Sequence, residues 1–424
     1  MVLAAAGSLL AGCSSNTPPE GQIGYIAEDF GGVVSDEPRS ALIGRDVLSS
    51  GGNAVDAAVA TYFALAVTYP HAATLGGGGI CVVHRGRQGD AEAIDFRPGI
   101  VERNGRSAAI PGAVRGMAAL HARYGRMQWA ALLLPAERLA RFGDPVSRAL
   151  SRQLAEMPDA TFSDPGMREI FTANGARLRE GELLREVQLA STLARVRLRG
   201  AGEFYAGDMA RQLAAGIEAI SGAGITVEDM RRYLPRWQET ARIEVGNHTA
   251  HLPAGAEGDR AVAAWRALVG GGAAAVPDTL AGGRTTDSAG FGAVDRDGTG
   301  ISCVVGSNGL FGAARTIGAT GIVAAGADAA MGWPGLPVVI ANGPRKDVIG
   351  VVTGSGGSGA AIRALSAGVA VFDRDVDPAA ALSPGGQGVR TSIIRCPSGA
   401  REDAKQCRFH VDPGGFGLAA GATL

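Results

Sequence analysis

The first half of the chain carries mainly helical periodicity. From Pro38 to about Val67, apolar residues recur near the spacing expected for one face of an α-helix. The run Gly51-Gly52-Asn53 interrupts this pattern and predicts two helices that meet at a turn. The same periodicity predicts further helices at 112–124, 128–142, 144–156, 184–199 and 207–220, and a short helix with capping residues at 226–233.

Strand patterns are sparse at first and dominate after Ala289. A hairpin is predicted around the turn Asp295–Gly298, and the segment Arg408–Ala420 is predicted to form a strand pair around a glycine-rich turn. The remaining predicted strands lie at 32–35, 80–84, 91–96, 336–341 and 347–353, with a helix at 360–370 after the last of them. Helices first and strands later, each in runs, predict an α/β fold of layered sandwich type rather than a doubly wound sheet.

Four consecutive glycines, Gly76–Gly79, precede the strand at 80–84. No Lys-Ser/Thr pair or longer phosphate-binding fingerprint follows them, so a phosphate cradle is poorly supported. Close packing of the backbone against another element is the better interpretation. A second glycine- and alanine-rich stretch, 270–283, has no periodicity and is interpreted as a connector.

The N-terminal segment 1–13 predicts a lipoprotein signal. Small apolar residues end in Leu10-Ala11-Gly12 before Cys13, which resembles the lipobox of bacterial lipoproteins, in which the cysteine is lipidated. Residues 14–30 are interpreted as a tether. The expected location is therefore the periplasm, with membrane attachment only through the lipid and a single folded domain over 31–424.

Four other cysteines remain in the chain. In an oxidising compartment, Cys396 and Cys407 are predicted to close a short disulfide loop. Cys81 and Cys303 lie in apolar strand-like runs and are predicted to be buried thiols. No spacing suggests a metal site or a cofactor, and a net charge of −1 offers no electrostatic case for nucleic acid.

The candidate chemistry centres on Ser288. This hydroxyl residue opens a predicted strand just after the glycine- and alanine-rich connector. Cleavage of the peptide bond before such a residue frees its α-amino group, so that one residue supplies both the nucleophile and the base of an amidase.

At this point the sequence resembles the gamma-glutamyltransferase family of N-terminal-nucleophile hydrolases, from Gly32 to Gly421. The run from Gly51 to Ala58 has the family's signature form. Asp95-Phe96-Arg97 matches the motif whose arginine binds a substrate carboxylate. Other matches are Pro70-His71, Gly76–Gly79, Pro111-Gly112, His121–Gly125, Phe204-Tyr205 and Glu228-Asp229.

Two placements of the family's catalytic strand are open. Thr285-Thr286 reproduces its first letters, but three extra residues then precede the turn. The ungapped placement puts Ser288 at the nucleophile and Asn308 on a family asparagine. It is preferred, because a strand that absorbs three residues loses its register.

The resemblance also has gaps. The family's second active-site threonine falls on Gly306, its adjacent serine pair near Trp333-Pro334, and the acid that binds the substrate α-amino group near Ala330. The glycine pair that supplies oxyanion donors is present as Gly356-Gly357. Carboxylate binding and an oxyanion site are therefore expected, without the residues that bind an α-amino group.

The resemblance implies a four-layer αββα sandwich, cleaved into parts of about 31–287 and 288–424 that stay associated. It implies acyl transfer from small carboxylate-bearing amides or peptides such as gamma-glutamyl compounds, with Arg97 and Asn308 on the carboxylate and Gly356 and Gly357 on the oxyanion. The alternative left open is an uncleaved binding lipoprotein on the same fold.

Overall fold

The computed structural model describes residues 30–271, 287–328, 335–382 and 388–421. Several predictions fall outside these ranges: Cys13 with its signal and tether, the body of the 270–283 connector, Thr285, Ala330 and Trp333-Pro334. Among the described residues, no helix is long and apolar enough to cross a membrane.

The strands are β1 Gly31–Ser35, β2 Gly78–His84, β3 Ala91–Asp95, β4 Gly99–Arg103, β5 Arg106–Ile110, β6 Asp144–Pro145, β7 Thr172–Ala173, β8 Ala176–Arg177, β9 Leu183–Leu184, β10 Arg236–Glu239, β11 Ala241–Val245, β12 His248–Leu252, β13 Ser288–Asp295, β14 Gly300–Gly306, β15 Leu336–Asn342, β16 Asp347–Gly356, β17 Val389–Arg395, β18 Arg408–Val411 and β19 Leu418–Gly421.

The helices are α1 Pro38–Ser49, α2 Ala54–Thr68, α3 Ala113–Tyr124, α4 Trp129–Phe142, α5 Arg148–Glu156, α6 Pro165–Phe171, α7 Val187–Arg199, α8 Ala201–Ala206, α9 Asp208–Ser221, α10 Val227–Arg232, α11 Gly255–Val269, α12 Ala360–Phe372 and α13 Pro378–Ala381.

Two antiparallel sheets pack face to face and form the centre of the molecule. One has the order β10-β3-β2-β14-β13-β1-β19 and the other β11-β12-β15-β16-β17-β18. Aliphatic side chains such as Val82, Val294, Val339 and Val351 fill the space between them. The outer face of the first sheet is covered mainly by α1–α4 and α7–α9, and that of the second by α11 and α12. The predicted four-layer αββα sandwich is confirmed.

Helix α2 lies at the centre of the larger helical layer. All of its residues are buried, which suits a sequence that is apolar on every side. Asn53 and Asp56 form a capping box at its start, and the Ala54 amide donates to the Asp295 carboxylate at 2.9 Å. The signature run is therefore a structural element that holds α2 against the turn after β13.

Two predictions of local structure need correction. Segment 144–156 becomes helical only at Arg148, because 144–145 pairs with 183–184 as a short strand. Residues 408–420 are not a hairpin: β18 pairs with β17, whereas β19 pairs with β1 in the other sheet. Helix α11, whose Trp265 is buried in the core of the second helical layer, was not predicted from the sequence.

The glycine run packs closely against neighbouring backbone, as its sequence context predicts. A Cβ atom on Gly77 would lie 2.3 Å from the Gly306 carbonyl oxygen, and one on Gly78 would lie 2.2 Å from that of Phe96. Any side chain at these positions would force the strands or the loop apart. The glycines therefore allow β2 to enter the sheet beside β14.

Both described cysteine pairs are disulfides. Cys396 and Cys407 are joined, as are Cys81 and Cys303, which face each other across β2 and β14. The interpretation of Cys81 and Cys303 as buried thiols was therefore wrong. The two apolar runs pair as neighbouring strands, and their register brings the Cα atoms within 4.1 Å.

These pairings predict no free thiol among the described cysteines of the oxidised protein. The Cys81–Cys303 link spans 222 residues and should stabilise the intact chain by about 5 kcal/mol, against about 3 kcal/mol for the short Cys396–Cys407 loop. Alanine replacement of each pair in a Ser288→Ala background, where the chain is expected to stay intact, followed by urea unfolding, measures both contributions. Thiol titration of denatured, unreduced protein that finds Cys81 and Cys303 free would contradict the first assignment.

Candidate active site

Ser288 is the first residue of β13 and is completely buried. Its Oγ accepts a hydrogen bond from the Gly356 amide at 2.9 Å and lies 3.2 Å from the Gly356 carbonyl oxygen. Gly356 has a φ of 100°, and a Cβ there would lie 1.7 Å from the Gly388 oxygen. Only glycine fits this position, so the end of β16 presents a backbone donor directly to the Ser288 hydroxyl.

The second predicted oxyanion donor is engaged elsewhere. The Gly357 amide donates to the Gly388 carbonyl at 2.9 Å, as part of the approach of β17 to β16. The expectation that both glycine amides face one oxyanion is therefore not met in the intact chain. Gly356 contacts the predicted nucleophile, whereas Gly357 secures the neighbouring backbone.

Arg390 is the main site residue that was not predicted from the sequence. Its Nη2 donates to the Ser288 carbonyl at 2.5 Å and to Asp287 Oδ1 at 2.7 Å, and its Nε donates to Asp36 Oδ2 at 3.0 Å. Burial lowers the pKa of Arg390, but the charges of the Asp287 and Asp36 carboxylates raise it well above its ordinary value. A permanent buried cation therefore lies beside the peptide bond that joins Asp287 to Ser288.

Asp36 connects this cation to both sheets. Its Oδ2 accepts hydrogen bonds from the Gly290 amide at 2.8 Å and the Ser355 hydroxyl at 2.5 Å, in addition to Arg390. Gly290 belongs to β13 and Ser355 to β16. Asp36 directly follows β1. Because its carboxylate accepts hydrogen bonds from both strands, it fixes the start of β13 relative to the end of β16.

His71 contacts the other carboxylate oxygen of Asp287, the one that Arg390 does not bind. Its Nε2 lies 3.5 Å from Asp287 Oδ2. Burial lowers the pKa of His71 to about 4, an effect that the Asp287 charge only partly opposes. The imidazole is therefore neutral near pH 7, and this contact is not an ion pair there. The resemblance included His71 only as part of a sequence motif, with no role assigned.

Arg97 and Asn308 lie together. Both line a cavity of about 280 Å³. Ser288 pairs with Gly306 and Gly306 with Gly78, beside which the Arg97 backbone lies, so about two strand spacings, roughly 10 Å, separate the backbones of Ser288 and Arg97. The structure thus joins two predicted binding residues in one cavity, about two strands along the sheet from the predicted nucleophile.

The Arg97 guanidinium already has acidic partners. Its Nε and Nη2 donate to Asp95, and its Nη1 lies 2.9 and 3.1 Å from the two Glu257 carboxylate oxygens. Arg236 shares Asp95 Oδ2 at 2.8 Å. A substrate carboxylate would therefore have to displace Glu257 to reach Arg97.

Comparison with known proteins identifies the family. The family model for Gamma-glutamyltranspeptidase matches residues 40–269, more than half of the chain. The chain belongs to this family. The matched stretch ends before Ser288, so the assignment rests on the helical half and the signature run.

The gamma-glutamyltranspeptidase relatives include Glutathione hydrolase 3 of Arabidopsis thaliana, 34% identical over 247 residues, which are 54% of this chain and 39% of that protein. The Glutathione hydrolase proenzyme of Pseudomonas aeruginosa is 34% identical over 248 residues, 53% of this chain and 43% of that protein. The chain therefore spans about two fifths of the length of these relatives.

The fold match extends further than the sequence match. The crystal structure of cephalosporin acylase from Bacillus halodurans superposes with a TM-score of 0.75 over 97% of this chain and 99% of that chain, at 18% identity. This likeness establishes the fold over both halves, including the strands around Ser288, and nothing about substrate.

Proposed function

We propose that this gamma-glutamyltranspeptidase family member cleaves itself before Ser288 and then acts as an amide hydrolase or acyltransferase. The observation that carries the proposal is the contact between Ser288 Oγ and the Gly356 amide at the start of a central strand. The hydroxyl directly follows the bond to be cut and can act as the nucleophile, and the backbone amide can act as a hydrogen-bond donor. Acyl transfer needs both groups.

In the proposed cleavage, Ser288 Oγ loses its proton and attacks the carbonyl carbon of Asp287. The C–N bond breaks as the amide nitrogen takes up a proton, which leaves an ester between Asp287 and the serine oxygen. Water then hydrolyses the ester, giving an Asp287 α-carboxylate and a free Ser288 amine. With an ordinary pKa of about 7.7–8.0, such an amine is a suitable base near neutral pH.

The sheet order supports lasting association of the two parts after cleavage. Strands β13 and β14 belong to the later part, yet they lie between β1 and β2 of the earlier part. The Cys81–Cys303 disulfide also crosses between the parts. Separation would require the central sheet to open and a covalent bond to be reduced.

The proposed substrates are small amides or peptides, such as gamma-glutamyl or glutathione-like compounds, with a carboxylate on the acyl group. The relatives named glutathione hydrolase support this class. Arg97 and Asn308 line one polar cavity for the substrate, whose carboxylate would displace the Glu257 side chain from Arg97.

The alternative, an uncleaved binding lipoprotein, is favoured by two features of the intact chain. Ser288 has no exposed surface, and the Gly357 amide is already bonded to Gly388. Reducing denaturing electrophoresis of purified protein, together with hydrolysis of glutaryl and gamma-glutamyl anilides, separates the two functions. Two fragments and Ser288-dependent anilide release support the enzyme, whereas one intact, inactive chain supports the binding protein.

We also propose that Cys13 is lipidated and anchors the protein in the periplasm, on the basis of Leu10-Ala11-Gly12-Cys13 and the tether after it. Mass spectrometry of detergent-extracted protein should find a diacylglyceryl group on an N-terminal Cys13 peptide. Cys13→Ala is the matched control and should release the protein from the membrane fraction. An unmodified Cys13 in soluble wild-type protein would refute the anchor.

A further inference from the structure

In the intact chain the nitrogen of Ser288 is an amide, so it cannot be the base that the cleaved protein is proposed to use. Self-cleavage nevertheless requires that a proton leaves the Ser288 hydroxyl and that a proton reaches the nitrogen of the same residue as the C–N bond breaks. A group that carries this proton has to contact the serine nitrogen before the cut. The carboxylate of Asp287 has such a contact.

The Asp287 side chain folds back onto the bond to be cut. The Ser288 amide donates to Asp287 Oδ1 at 2.9 Å, so a carboxylate oxygen lies against the nitrogen that has to be protonated. The hydroxyl belongs to the same residue as this nitrogen and is joined to it through two carbon atoms. A carboxylate at the nitrogen can therefore reach the hydroxyl directly or through one water molecule.

Residues from distant parts of the chain hold this carboxylate in place. Arg390 Nη2 donates to Asp287 Oδ1 at 2.7 Å, and His71 Nε2 lies 3.5 Å from the other oxygen. The Asp287 side chain is only 13% exposed, so bulk water competes little for its oxygens. The carboxylate is thus oriented towards the serine before the reaction, as a proton carrier has to be.

We propose that Asp287 is a catalytic residue of self-cleavage, which carries the proton of the Ser288 hydroxyl to the Ser288 nitrogen. This inference rests on the proposed function, because it takes the bond before Ser288 as the one that is cut. The carboxylate accepts the proton as Oγ bonds to the carbonyl carbon of Asp287, and it returns the proton to the nitrogen as the C–N bond breaks. The products of this step are the ester, the free amine and the regenerated carboxylate, with no proton gained or lost. Asp287 acts once in the life of the chain, because the free amine is the base afterwards.

The first test uses Asp287→Asn, which keeps the size of the side chain and an oxygen acceptor for the Ser288 amide but does not carry the proton. The matched control is Asp229→Asn, because the buried Asp229 carboxylate also accepts from a backbone amide, that of Thr226 at 2.9 Å, and from an arginine, Arg103 at 2.8 Å. Each chain is labelled in a brief cell-free synthesis, and fragment formation is followed by reducing electrophoresis. We expect Asp287→Asn to slow cleavage at least about 100-fold and Asp229→Asn to cleave at the wild-type rate.

A chemical rescue separates proton transfer from charge and packing. Asp287→Ala removes the carboxylate and leaves room for a small anion beside Arg390 and the Ser288 amide. Formate should then accelerate cleavage at least about tenfold, whereas nitrate, a planar anion of the same charge that takes up no proton near neutral pH, should have no effect. Asp287→Glu returns a carboxyl group on a longer side chain and should cleave faster than Asp287→Asn.

Cleavage of Asp287→Asn within about threefold of the wild-type rate, or equal rescue of Asp287→Ala by formate and nitrate, would overturn the inference and leave Ser288 as the nucleophile. Equal slowing in Asp229→Asn would overturn it too, because the loss of a buried ion pair would then be sufficient. Failure of the proposed function is visible separately, as a wild-type chain that stays whole. If urea unfolding shows that Asp287→Asn is not folded, Asp287→Glu decides: cleavage supports the inference, and a folded, intact chain refutes it.

Discussion

Replacing Ser288 by alanine should leave the protein as one polypeptide without amidase activity, whereas the wild type should yield two fragments. The replacement removes the attacking Oγ and, by preventing cleavage, also the free α-amine that serves as base. Mass analysis of the smaller wild-type fragment should give residues 288–424, beginning Ser-Ala-Gly-Phe. The gel must be reducing, because the Cys81–Cys303 disulfide would hold both fragments in one band.

Two further variants locate the cut. Ser288→Thr should still cleave, since threonine offers the same hydroxyl, and Thr285→Ala should cleave normally. A wild-type fragment that begins at Thr285 would transfer the nucleophile to that residue and show that the gapped placement was right. Well-folded wild-type protein that remains a single chain under reducing conditions would favour the binding-protein alternative.

Replacing Arg390 by methionine should destabilise the protein by about 3–5 kcal/mol and impair cleavage. The change removes the cation shared by the Asp36 and Asp287 carboxylates and leaves their charges buried without compensation. It also removes a donor to the Ser288 carbonyl, which holds the strand start in position. Urea unfolding measures the loss, and the rate of fragment formation reports the positioning role.

Arg395→Met is the control for this prediction, because Arg395 lies on the same strand but pairs with the exposed Asp375. It should change the free energy of unfolding by less than about 1 kcal/mol. Adding Asp36→Asn to Arg390→Met should recover part of the stability, since one buried charge is removed. Equal stability of Arg390→Met and wild type would show that the buried ion network contributes little.

The sequence by itself determined much of the local structure. The interrupted periodicity before Val67 predicted α1 and α2, and the Asp295–Gly298 turn predicted the hairpin of β13 and β14. These features depend on residues close in the chain, namely caps, turns and alternating side chains. Counting back from the same turn without a gap predicted Ser288 as the first residue of the strand. The structure has Ser288 as the first residue of β13.

Only the tertiary structure decided which distant residues meet. Arg390 and Asp36 are 354 residues apart, and neither belongs to a sequence motif that indicates which residue it contacts. The disulfide of Cys81 and Cys303 depends on β2 lying next to β14 with one particular register. Periodicity reports which face of an element is buried but not what packs against it, so these contacts had no local signal.

The candidate site likewise combines local features, which the sequence predicts, with contacts between distant residues, which it does not. The position of Ser288 at the start of a strand and that of Gly356 at a strand-to-helix turn were predictable, because both are local features. The separation of Arg97 from Ser288 and the engagement of the Gly357 amide by Gly388 were not, since both follow from the packing of neighbouring strands.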